Sequence, residues 1–182
     1  MKKVILLYSL IFSTLLFAET VKIPRQKITI SGLTKASKEY VLTGLDFEKF
    51  KKQSVIELYD PYDGDKLNLF NSVPFYDFLL EYSSPEAKIA SVMAYDGYKV
   101  NINLEDAKKI GLYFAYKDKK GFLGLDRMGP IRIIENRKGK IDKTILTHIG
   151  VNWVWQVKNI ELKKWANLIV IKPLFVIMCC LI

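Results

Sequence analysis

The side chains able to do chemistry in this chain fall in three places. SVMAYDGYKV, residues 91–100, brings Tyr95, Asp96 and Tyr98 around one turn. GPIRII, residues 129–134, holds Arg132, and WVW, residues 153–155, holds Trp153 and Trp155. Asp96-Gly97 is first of all a hairpin turn signal, with Gly97 supplying a positive φ and Asp96 capping the turn. A ligand role for the Asp96 carboxylate or the two phenols would come on top of that. Arg132 carries a planar fork of donors suited to a phosphate or carboxylate, so a small anionic ligand is one candidate partner. A single arginine on a strand is also commonly exposed or salt-bridged. Trp153 and Trp155 are two residues apart and share one face of an extended segment. They suit a core, an interface with an envelope protein partner, or the wall of an aromatic pocket.

Other chemistries are excluded by what the chain lacks. His148 is the only histidine, and one imidazole without further ligands does not make a metal site. The only cysteines, Cys179 and Cys180, are neighbours in the last residues. The body therefore has no thiolate metal ligand, no disulfide frame and no covalent haem motif. No phosphate loop, Ser-His-Asp order or zinc motif occurs. Asp126 and Arg127 read as a surface pair of small energetic weight.

The two ends read differently from the body. Lys2 and Lys3 precede a mostly apolar run over residues 4–17, with Ala18 before Glu19 as a cleavage point, so 1–18 reads as a secretory signal. That places the mature protein in the periplasm. Residues 165–182 carry one charge, Lys172, and approach membrane-span length. Lys163 and Lys164 just before them oppose the positive-inside tendency for an exported body. A membrane anchor that tethers the domain to the inner membrane, a truncated span and a functionless tail all stay open. Of the formal charge of +9, the five lysines in these two ends carry 5, leaving +4 on the body. Export and so mild a balance argue against a nucleic-acid partner.

One domain over residues 21–162 has to position the candidate side chains. KITISG predicts a strand with Ile28 and Ile30 on one face, and LDFEKFKK a short helix. SVIELYDPYDGDKLNLF predicts a hairpin about Asp-Pro-Tyr-Asp-Gly. VPFYDFLLEY has Phe75, Phe78, Leu79 and Tyr82 at helical spacing. KIASVMAYDGYKVNINL predicts two strands about Asp96-Gly97, followed by a helix LEDAKKI that Asn103 caps and Gly111 stops. GLYFAYKDKKGFLGL predicts another hairpin. GPIRIIENRKGK and KTILTHIGVNWVWQVKNIEL are read as the last strands, with a bulge between Val157 and Ile160 to restore one apolar face. Many strands with three short helices give an α+β class with mixed or antiparallel sheets.

Several of these pieces, in this order, resemble the small exported relatives of the sulfite oxidase fold, the oxidoreductase molybdopterin-binding domain proteins. The carrying residues are Asp96-Gly97-Tyr98, the run from Gly129 to Ile134, and the Trp-containing segment from Trp153 to Leu162; the resemblance covers most of residues 42–162. It implies a sulfite-oxidase-like scaffold. In the family's catalytic members a pterin dithiolene and one cysteine thiolate hold molybdenum. That cysteine ends the strand leading into the loop that resembles SVMAYDGY, where this chain has Met93, Ala94 and Tyr95. A thioether is a weak neutral donor and a phenol is protonated at neutral pH. The resemblance thus implies a non-catalytic binding or sensing module with no cofactor expected. The alternative is a molybdopterin oxidoreductase with unusual metal ligation, the pterin being held by polar contacts. The ligand-binding candidates are Tyr95, Asp96, Tyr98, Arg132, Trp153 and Trp155.

Overall fold

The computed structural model describes residues 23–165. The 1–18 segment, and the 165–182 tail beyond Trp165, lie outside the described residues. Among those described, ten strands run in chain order as β1 (Ile28–Gly32), β2 (Tyr40–Leu42), β3 (Ser54–Asp60), β4 (Lys66–Pro74), β5 (Ile89–Ala94), β6 (Lys99–Asn103), β7 (Leu112–Asp118), β8 (Gly121–Phe122), β9 (Arg132–Glu135) and β10 (Val157–Lys163). Four short helices interrupt them: α1 (Gly44–Glu48), α2 (Phe75–Leu80), α3 (Leu104–Ile110) and α4 (Lys143–Ile149). No described helix is long and apolar enough to cross a membrane.

The strands form two five-stranded sheets. The first has the order β2-β1-β10-β5-β6, and the second β3-β4-β7-β8 with β9 also on β7. β1 and β10 pair in parallel, whereas the other pairs are antiparallel. The class is α+β with mixed sheets, as the pattern of elements predicts. The main core draws on both sheets and on α1, α2 and α3. It includes Ile28, Ile30, Val92, Val157 and Ile160 from the first sheet and Val73, Phe114 and Ile133 from the second. Phe47, Phe78 and Phe114 meet within it, the Phe47 and Phe78 rings stacked at 4.2 Å.

Local chemistry sets the element ends. The Asp46 carboxylate accepts from the Thr43 backbone N–H at 2.7 Å at the start of α1. Asn103 Oδ1 accepts from the Asp106 N–H at 3.0 Å at the start of α3. Gly111 closes α3 at φ 73°, a left-handed conformation that a side chain would resist. The β10–β5 register shifts between Val157 and Asn159, with Val157 opposite Ala94 and Asn159 opposite Met93. This bulge lets Val157, Ile160 and Leu162 all reach the core despite their mixed parity.

Two expectations are corrected. KTILTHI is not a strand but α4, capped by Asp142, whose side chain accepts from the Thr144 N–H at 2.8 Å. Leu146 and Ile149 share one side of this helix and pack on a second cluster with Ile56, Leu58, Phe70, Ile134 and Trp153. Trp153 and Trp155 are not in the last strand, because a turn comes between: Gln156 takes φ 51° and β10 starts at Val157. The second cluster covers the far face of the second sheet, so β9 is buried throughout, with Ile133 in the main core and Ile134 in the other.

Candidate functional site

At one end of the two sheets a cleft of about 360 Å³ opens between three chain segments. The β5–β6 turn supplies Ala94, Asp96 and Tyr98, and the β3–β4 turn supplies Tyr62. The stretch from α4 to β10 supplies Leu146, Thr147, Trp153 and Trp155. Four aromatic rings therefore line it, and Asp96 is the one charged side chain among the described lining residues.

Each wall is fixed by backbone chemistry. Ala94 N–H donates to Tyr98 O at 2.9 Å and Gly97 N–H to Ala94 O at 3.2 Å, closing the turn. Gly97 takes φ 90°, and Tyr98 N–H donates to Asp96 Oδ1 at 2.9 Å. Asp96 is thus the turn cap the Asp-Gly pair predicts, and it also stands at the cleft. The Tyr98 hydroxyl donates to the Val151 carbonyl at 2.9 Å, tying the turn to the segment after α4. Tyr62 meets Trp155 edge-on, with centroids 4.6 Å apart at 80°, and lies 6.1 Å from Trp153 at 59°. The indole N–H groups of both tryptophans are buried without a partner among the described residues.

Arg132 does not line the cleft. It is 3% exposed on the buried far face of the second sheet, and its Nη1 donates to Asp60 Oδ2 at 2.7 Å. Asp60 is itself fully buried, and its Oδ1 accepts from the Tyr62 N–H at 3.0 Å. The Arg132 guanidinium stands over the Phe70 ring at 5.1 Å, while its Nε and Nη2 have no partner among the described residues. The buried pair therefore braces the turn that carries Tyr62. Burial, then the Asp60 charge and the nearby Tyr98, push the Tyr62 phenol above its ordinary value, with Arg132 opposing, so it stays protonated at neutral pH.

Of the six predicted site residues, the structure brings Asp96, Tyr98, Trp153 and Trp155 together. Tyr95 faces elsewhere: its hydroxyl donates to the Lys27 carbonyl at 3.0 Å, and the Lys158 ammonium lies 5.8 Å over its ring. Tyr62 belongs to the site, whereas the sequence marks it only as part of the Asp-Pro-Tyr-Asp-Gly turn cluster. Its signal was an aromatic residue in a turn whose other members are small or polar. His148 is exposed on α4, and no three His, Cys, Asp or Glu side chains gather among the described residues. Arg127 pairs with Asp118 rather than chiefly with Asp126, whose carboxylate is 3.9 Å away.

A solved enzyme structure shares this fold in outline. It is the sulfane dehydrogenase SoxCD from Paracoccus pantotrophus, similar with a TM-score of 0.52 at 16% sequence identity. The match covers 78% of this chain and 39% of that one. No family model matches the chain, and no curated protein matches it. At so low an identity the likeness concerns the fold alone.

Proposed function

We propose that this chain is an exported, non-catalytic binding module on a sulfite-oxidase-like scaffold, with the aromatic cleft as its ligand site. The carrying observation is the place of Ala94. The resemblance puts the metal-holding cysteine at residues 93–95, and Ala94 is the one of these three that lines the cleft. The cleft is kept there and the thiolate is not. Likeness in fold to a dehydrogenase supports the scaffold assignment.

Molybdopterin does not fit the donor set. The cofactor carries a phosphate and a dithiolene-bound metal, which call for cationic donors and an anionic sulfur. The described lining holds neither, and its single charge, the Asp96 carboxylate, would repel a phosphate. Arg132, the residue best suited to hold one, is spent on Asp60 beneath the Tyr62 turn. The unpaired cleft and its rings suit a small ligand bound by stacking and a few polar contacts.

Metal and pterin analysis of protein purified from the periplasm tests the proposal. Molybdenum and the fluorescent oxidised pterin are expected at trace levels only. Molybdenum approaching one atom per chain would overturn the proposal in favour of an oxidoreductase with unusual ligation.

A further inference from the structure

We infer that the cleft selects a small organic cation of the quaternary-ammonium type, held by the aromatic lining of Tyr62, Tyr98, Trp153 and Trp155 and by the Asp96 carboxylate. This rests on the reading of the cleft as the ligand site and names the chemistry of its ligand.

Three observations carry it. The first is the sign of the lining. Asp96 is exposed and accepts one hydrogen bond, from Tyr98 N–H, while no lysine, arginine or histidine pairs with it among the described residues. A carboxylate at a cleft without a basic partner offers its second oxygen to an incoming cation. The second is the geometry of the rings. Tyr62 and Trp155 stand nearly perpendicular at 80°, and Trp153 adds a third plane tilted at 59° to Tyr62. Ring faces attract cations through their quadrupole, tryptophan most strongly, so an aromatic lining beside a carboxylate suits a quaternary ammonium group. The third is the state of the nearby charge. The Arg132 guanidinium would oppose a cation, but the fully buried Asp60 carboxylate neutralises it at 2.7 Å. Tyr62 keeps its proton, so the wall offers neutral rings and one carboxylate.

An anion has no counterpart here, because no cationic side chain lines the cleft among the described residues. A neutral apolar ligand would gain from the rings but leave Asp96 unused. The discriminating pair of compounds is therefore choline and its neutral carbon isostere, 3,3-dimethylbutan-1-ol, which have nearly the same shape and differ in charge.

Isothermal titration of the full chain with each compound, repeated on Asp96→Asn, tests the inference. Choline is expected to bind at least about tenfold more tightly than the isostere. Asp96→Asn keeps the Oδ1 acceptor for Tyr98 N–H, so the turn should persist, and an unchanged melting temperature checks this. The variant is expected to weaken choline several-fold and leave the isostere unaffected. Equal or tighter binding of the isostere, or no effect of Asp96→Asn on choline, overturns the cationic assignment while the cleft remains a ligand site. Binding of neither compound overturns the assignment and removes the support for the cleft as the ligand site.

Discussion

Asp60→Ala is expected to destabilise the protein by about 3–5 kcal/mol, measured by urea denaturation. Both partners of the Asp60–Arg132 pair are buried, at 0% and 3% exposure. Removing the carboxylate leaves a guanidinium beside the second core cluster with no acceptor among the described residues, since its Nε and Nη2 already lack partners there. The Phe70 face at 5.1 Å compensates only in part. Breaking one side of such a pair is far more damaging than replacing both sides by apolar groups of similar volume. The double variant Asp60→Leu/Arg132→Met should therefore recover most of the lost stability, a coupling that a double-mutant cycle reads directly. A loss under about 1 kcal/mol in Asp60→Ala would show that water solvates Arg132 in the native state, contrary to the burial described. The single variant also deprives the Tyr62 N–H of its acceptor, so the wall of the cleft should loosen with the fold.

Phe78→Ala should cost a similar amount, about 3–5 kcal/mol. Phe78 is 1% exposed, and its ring stacks on Phe47 at 4.2 Å. It also meets Phe50 at 5.3 Å, Tyr82 at 5.3 Å and Phe114 at 5.7 Å. These neighbours come from α1, the segment after it, the turn after α2 and β7, so no single element can collapse to fill the space. Phe78→Leu retains most of the volume and should lose distinctly less. Equal losses for the two substitutions would mean that ring contacts rather than cavity volume dominate. Neither variant touches the cleft, so ligand binding measured below the unfolding transition should be unchanged.

Local patterns in the sequence were reliable where neighbours along the chain decide the structure. The Asp96-Gly97 turn, the Asn103 cap, the Gly111 stop and the bulge after Val157 each follow from a few adjacent residues. KTILTHI is rich in β-branched residues, which weigh toward a strand, while packing of Leu146 and Ile149 on the second cluster holds it as the helix α4. Of the two readings of Arg132, anion ligand or salt-bridged strand arginine, the structure shows the salt bridge. Its partner Asp60 is 72 residues away in the chain, a distance no local pattern spans. Tyr62 was hidden for the same reason: only the tertiary fold brings the β3–β4 turn beside Trp155. The tryptophans were legible as a pair of aromatic side chains with a shared role. Their placement before rather than within β10 depends on the turn at Gln156.

Tyr62, Tyr98, Trp153 and Trp155 line the cleft proposed as the ligand site. The three tryptophans give it a direct internal control, since Trp165 is 59% exposed and outside the cleft. Two-dimensional NMR of nitrogen-15-labelled protein, titrated with choline and separately with 3,3-dimethylbutan-1-ol, reads each indole N–H. The account predicts that at least one compound moves the Trp153 and Trp155 indole signals saturably while the Trp165 signal stays in place. Cleft indole signals that respond to neither compound, or a response confined to Trp165, would contradict it.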